Sequence, residues 1–207
     1  MKEVFVIGDS ISIQYGPCLK KLLDGVFRYD RKRGLDQALA DLDKPTGANG
    51  GDSAMVLAYM KELESEGRKL DILLFNCGLH DMKTDPATGE KQVPLDKYRA
   101  NLDEIATLAK KLSERCFWIR TTDAQEHIHN DPPRSFFRYH ADVVAYNQAA
   151  DEIMAAHGIP TIDLYGFTRT FGDDAFCDHV HYKEDIRALQ AAFLYGYLHA
   201  ALRPPLG

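Results

Sequence analysis

Glu3-Val4-Phe5-Val6-Ile7-Gly8-Asp9-Ser10-Ile11-Ser12 opens the chain with a short apolar run, a glycine and then a serine. Glu3 to Ile7 reads as a buried strand that stops at Gly8. Gly8 permits a tight approach of the backbone, and an aspartate at position 9 can tie such a turn to neighbouring backbone. Ser10 therefore stands at a strand-to-helix turn, where a hydroxyl projects from a sheet edge. Near a helix start its N–H also has no partner within the helix. Taken alone, Gly-Asp-Ser reads first as an ordinary turn with a capping serine.

Working outward, the chain alternates strands and helices. Pro17 to Leu23 carries helical spacing, and 26–29 reads as a second strand. Residues 31 to 49 are polar and lack a clean period, which predicts a long surface loop. Ser53 to Gly67 reads as an amphipathic helix. Asp71 to Cys77 (DILLFNC) is the clearest central strand, and 82–94, with Pro86, Gly89 and Pro94, reads as a loop. Leu95 to Ser113 is a strong helix, because Tyr98, Leu102, Ile105, Leu108 and Leu112 recur at helical steps. Cys116 to Arg120 is the next strand, followed by a His- and Pro-containing loop over 121–135. Arg138 to His157 is a helix stopped by Gly158. Ile159 to Leu164 is the last strand and Tyr182 to Leu202 the last helix. This alternation predicts an α/β fold, a three-layer α/β/α sandwich with a mostly parallel sheet, in one domain spanning 1–207. In such sheets ligands bind beyond the carboxyl ends of the strands. Ser10, Gly78 to Asp81, and Thr121 with Thr122 all fall there.

The totals exclude several functions. The chain has 207 residues, 45% of them apolar and 27% charged, with a formal net charge of −6. That composition suits a globular protein with a substantial core. The one basic cluster, Arg31-Lys32-Arg33, reads as a solvated loop, so no nucleic-acid partner is expected. No apolar stretch is long enough for a transmembrane helix, so no membrane partner is expected. A first strand beginning almost at Met1 leaves no room for a signal peptide, which predicts a cytoplasmic protein. Cys18, Cys77, Cys116 and Cys177 have no paired metal spacing and read as free thiols. His127 with His129, and His179 with His181, alternate but fix no third ligand, so no metal is expected.

Far from Ser10 the chain reads Asp178-His179-Val180-His181. At a spacing of three, residues within one helical turn share a side. A carboxylate there can hold one imidazole nitrogen while the other faces a serine hydroxyl, which needs such a base to attack. Without that serine the pattern is an acidic cap beside a surface histidine. Two further stretches supply oxyanion donors. Gly47-Ala48-Asn49-Gly50-Gly51-Asp52-Ser53 opens a helix, with Gly51 offering an unobstructed N–H. Asn76-Cys77-Gly78-Leu79-His80-Asp81 follows the central strand, with Asn76 and His80 as side-chain donors.

In order and placement these blocks resemble the SGNH/GDSL hydrolase superfamily. Gly8-Asp9-Ser10 matches its first block, Gly51 its second-block glycine, Gly78-Leu79-His80-Asp81 its Gly-x-Asn-Asp block, and Asp178 to His181 its last. The resemblance spans residues 8 to 181 and implies a flavodoxin-like sandwich. It also implies a catalytic triad of Ser10, Asp178 and His181, with an oxyanion hole of Ser10, Gly51 and His80. His80 is the departure, because it stands where the family carries asparagine; an imidazole N–H can donate as an amide does. A family variant reading Asn-x-Gly-x-His-Asp is similar and favours carbohydrate-related esterases. The expected activity is a cofactor-free serine esterase acting on small acyl groups, acetyl foremost, on a small molecule or carbohydrate. Its rivals are an acyltransferase or thioesterase on the same fold, and a non-catalytic carbohydrate-binding relative.

Overall fold

The computed structural model describes residues 1–131 and 135–202. Positions 132–134, within the loop expected over 121–135, lie outside the described residues, as do 203–207 of the domain expected over 1–207. Five strands, β1 (Glu3–Ile7), β2 (Arg28–Arg31), β3 (Leu70–Phe75), β4 (Ser113–Ile119) and β5 (Thr161–Ile162), form one sheet in the order β2-β1-β3-β4-β5. Every pairing is parallel. Parallel strands covered on both faces need continuous apolar runs, and Val4 to Ile7 and Ile72 to Phe75 are buried without a break.

The helices are α1 (Ser10–Leu23), α2 (Leu35–Ala40), α3 (Ser53–Ser65), α4 (Leu95–Leu112), α5 (Glu126–His129), α6 (His140–Ala156), α7 (Leu164–Arg169) and α8 (Glu184–Ala201). Two groups form the outer layers. α1 packs on α8, which also meets α7, while α4 packs between α3 and α6. The spacing in α4 is explained by this packing, since Tyr98, Leu102, Ile105 and Leu112 are all buried. Each such side chain contributes about 1.5–3 kcal/mol through burial. Trp118 of β4 is fully buried and meets the Phe75 ring edge-on, with centroids 5.3 Å apart.

Three expectations over the first fifty residues need correction. α1 starts at Ser10, ahead of the helix expected from Pro17. Asp9 caps it, with Oδ1 accepting from the Ile11 N–H at 3.0 Å, and Ile11, Tyr15, Leu19 and Leu23 are buried along it. Pro17 sits in the helix interior but on an exposed position. The loop expected over 31–49 contains the end of β2 and all of α2. The basic triplet is not a solvated loop either. Arg31 is buried, donating from Nη1 to the Ser12 carbonyl at 3.1 Å and from Nη2 to the Ala48 carbonyl at 3.2 Å. Lys32 Nζ donates to the carbonyls of Gly47 and Asn49. These cations fasten the glycine-rich loop to the Ser10 end of the sheet. Among the described residues, no helix is long and apolar enough to cross a membrane.

The strand order reverses between β1 and β3, and at such a switch point a crevice opens beyond the carboxyl ends. Ser10 follows β1 and Gly78 to Asp81 follow β3, so the fold delivers both stretches to that crevice.

Candidate active site

Ser10 is the first residue of α1, and its N–H donates to no described protein group. Its Oγ lies 2.9 Å from His181 Nε2. His181 Nδ1 lies 2.8 Å from Asp178 Oδ2. Ser10 and His181 are buried, while the Asp178 side chain keeps 44% of its exposure. No helix brings Asp178 to His181. The segment is a bend in which Asp178 Oδ1 accepts the N–H groups of Val180, at 2.8 Å, and His181, at 2.7 Å. Burial pushes this carboxyl up, but hydrogen bonds from the His181 ring and from those two N–H groups outweigh it and hold the pKa well below the usual carboxylate range. The carboxylate is therefore charged at neutral pH and locks the imidazole with Nε2 toward the hydroxyl. The serine, base and orienting acid expected from the sequence thus form one hydrogen-bonded chain.

The surrounding donors are less uniform. Gly50 N–H donates to the Gly8 carbonyl at 2.9 Å, which ties the glycine loop to the Ser10 turn. Gly51 takes φ of +71°, a backbone state that favours glycine, and its N–H donates to Asn49 Oδ1 at 3.0 Å. Its N–H is therefore not unobstructed. Asn76 is also committed: Nδ2 donates to the Ile119 carbonyl at 2.7 Å and to Thr121 Oγ1 at 3.0 Å, bracing β3 against β4. His80 is 2% exposed and its Nδ1 has no hydrogen-bond partner among the described residues. Burial, with the charges of Lys83, Arg138 and His181, pushes its pKa well below the ordinary histidine value, so the ring is neutral. A neutral ring offers one N–H donor.

No protein-family model matches the chain, and no curated protein matches it in sequence. Solved structures do. A lipase/acylhydrolase from Enterococcus faecalis superposes with a TM-score of 0.70 at 16% identity, covering 100% of both chains. A GDSL-like lipase from Bacteroides thetaiotaomicron gives 0.68 at 16% identity, covering 97% of this chain and 89% of that one. Axe2, an acetylxylan esterase from Geobacillus stearothermophilus, gives 0.65 at 17% identity, covering 98% and 95%. The chain has the fold of the GDSL acylhydrolases. Its parallel sandwich is the architecture expected from the alternation of elements.

On this GDSL fold, two residues near the triad escaped the sequence reading. Arg138, expected only as a helix start, precedes α6 and is 3% exposed. Its Nε donates to the Leu79 carbonyl at 2.7 Å, and its Nη1 is buried without a partner among the described residues. Burial pushes its pKa down to about 10, against the pull of Asp9, Asp43 and Asp178. Lys83, in the segment read as a loop, lies with Nζ 4.4 Å from the Phe136 ring centroid, and the Arg138 guanidinium carbon lies 5.0 Å from the same centroid. Burial pushes the Lys83 pKa down to about 8, with Arg138 adding to the fall. A surface reading of arginine and lysine hides both, since the burial of Arg138 and the half-burial of Lys83 are tertiary properties. A cavity of about 420 Å³ opens here, lined among others by Lys44, Lys83, His129, Phe136 and His179. It meets the triad loop at His179, whose ring centroid is 6.3 Å from that of His181. A roomier cavity of about 560 Å³, between α1, β2 and α2, is lined by no triad residue.

Proposed function

We propose that this chain is a serine esterase that removes small acyl groups, acetyl foremost, from a carbohydrate or a similarly polar alcohol. The observation that carries the reading is the continuous chain from Ser10 Oγ through His181 to Asp178, at 2.9 and 2.8 Å. Ser10 Oγ attacks the ester carbonyl carbon while its proton passes to His181 Nε2. The carbonyl oxygen becomes an oxyanion. On collapse, the C–O bond to the alcohol breaks and His181 returns the proton to the leaving oxygen. Water then attacks the acyl-serine in the same way, releasing the acid and restoring Ser10. Asp178 orients His181 and balances the imidazolium charge.

Three donors serve the oxyanion in this reading. The Ser10 N–H is unoccupied at the positive end of α1. Neutral His80 donates from Nε2, leaving the buried Nδ1 as a bare acceptor. Gly51 joins when the oxyanion displaces Asn49 Oδ1, trading a neutral acceptor for a charged one. Hydrogen bonds to a charged acceptor are roughly twice as strong, so this exchange favours the transition state over the resting site. Fold similarity to an acetylxylan esterase supports the acetyl and carbohydrate part of the reading.

The test is Ser10→Ala. Hydrolysis of p-nitrophenyl acetate should fall by at least about 10³-fold, and covalent labelling by a fluorophosphonate should vanish. Labelling that persists in the variant would overturn the assignment.

A further inference from the structure

Buried cations are normally neutralised by a carboxylate, because desolvating an unpaired charge is costly. Arg138, buried, and Lys83, half-buried, both lack such a partner among the described residues. Neither forms an ion pair with a described carboxylate, and both lean on the ring of Phe136, at 4.4 and 5.0 Å. Arg138 spends one hydrogen bond on the Leu79 carbonyl and leaves Nη1 buried and, among the described residues, unpartnered. Lys44, on the same cavity, is by contrast already paired with Asp41 at 3.0 Å. Asp43 also lines the cavity, but its carboxylate lies toward His179, 3.9 Å from Nε2. The lining itself balances, with Lys44 and Lys83 against Asp41 and Asp43; the further positive charge comes from Arg138 behind Phe136, and the cavity adjoins the triad loop through His179.

Resting on the esterase reading above, we propose that this cavity receives an anionic group of the substrate, a carboxylate or a phosphate, and that the preferred esters are carried on acidic sugars. Lys83, which lines the cavity, contacts the anion. Arg138, held through Leu79 and Phe136, supplies charge from a dry position where water screens it little. Phe136 is the shared wall that keeps both cations at the cavity without neutralising them. Serving the oxyanion alone would not require this arrangement, since an oxyanion hole acts equally on neutral and charged esters. Substrate charge is thus the variable that separates the two roles.

Two measurements test the site. The first is binding of D-glucuronate, D-glucose 6-phosphate and D-glucose by titration calorimetry at low ionic strength, where charge pairing is least screened. The second is kcat/KM on the 3-O-acetyl esters of the same three compounds. The wild type should favour at least one acidic member over glucose by about tenfold or more in both, the order that one charge-assisted hydrogen bond supplies. Which acid wins distinguishes carboxylate from phosphate. Lys83→Met should reduce the ratio to about one, and Lys83→Arg should retain it, which guards against a merely misfolded variant. Equal binding of acidic and neutral compounds by the wild type, or a ratio unmoved in Lys83→Met, overturns the proposal. Fluorophosphonate labelling of Ser10 separates this failure from that of the esterase reading. Labelling without anion preference removes the anion site alone. Lys83-dependent anion binding without labelling keeps the site and removes the serine chemistry.

Discussion

In the proposed oxyanion hole, the imidazole of His80 takes the place of an amide. The substitution works only while the ring stays neutral and keeps one N–H toward the reacting oxygen, and burial beside Lys83 and Arg138 enforces the first condition. His80→Asn should therefore keep kcat on p-nitrophenyl acetate within about tenfold of wild type, because the donor is replaced by a donor. His80→Ala should lower kcat by about 10²–10³-fold, the usual cost of one oxyanion donor. Steady-state rates normalised to fluorophosphonate-titrated sites check both. Equal losses in the two variants would mean that the ring itself, not its N–H, is what the site needs. Asp178 plays a different part. Its carboxylate is half exposed, so in the proposed triad its value lies in aiming His181 through the Oδ2 bond. Asp178→Asn offers an N–H or a weaker acceptor to Nδ1, and kcat should fall by up to about 10⁴-fold with little change in KM. A variant that retains most of its kcat would show that the bend alone positions the histidine.

Between β3 and β4, one glycine carries much of the geometry. Gly78 takes φ of +155°, and a Cβ there would meet Thr121 Oγ1 at 2.5 Å. Thr121 has no room to yield, since its Oγ1 donates to the Cys77 carbonyl at 3.1 Å and accepts from Asn76 Nδ2 at 3.0 Å. Gly78→Ala should cost about 1–3 kcal/mol in urea unfolding and displace the His80 turn that follows it. An unchanged midpoint would remove the strain argument. The block around the glycine was legible as polar groups beyond the central strand and as a match to a family block. β1 and β3 were legible too, since parallel strands buried on both faces leave unbroken apolar runs. Less was readable where tertiary contacts overrule local signals. Gly16 and Pro17 disguise the first turns of α1, which stand on the Asp9 cap and on packing against α8. α2, α5 and α7 are too short to show a period. In the site, Ser10, His181 and Asp178 could be named from sequence, but the bend that joins the last two could not. The engagement of Gly51 by Asn49 and the burial of Arg138 were likewise invisible, because each depends on what a distant segment places nearby.

Across the whole molecule, the crevice at the switch point gathers groups that folding keeps out of water, and this links stability to pH through Asp81. The residue is fully buried, with Oδ1 accepting the Ser53 N–H at 2.8 Å and Oδ2 accepting no bond. Desolvation, reinforced by the nearby Asp52 charge, outweighs the Ser53 hydrogen bonds and raises its pKa from 3.8 to about 7. Between those two values the folded chain holds a proton that the unfolded chain has released. Unfolding then sheds a proton, so stability falls as pH rises through this window. The contribution is fully present below about pH 4, is lost progressively up to about pH 7, and is flat above. Each pH unit inside the window costs up to about 1.4 kcal/mol, a few kcal/mol in all. Asp81→Asn keeps an oxygen for the Ser53 N–H and cannot ionise. Its unfolding free energy, from urea titrations at about pH 4.5, 6 and 7.5, should fall less with rising pH than that of the wild type. The variant should therefore gain on the wild type steadily toward neutral pH. A constant gap between the two curves would show that Asp81 stays ionised in the fold, with water or a cation reaching its free oxygen.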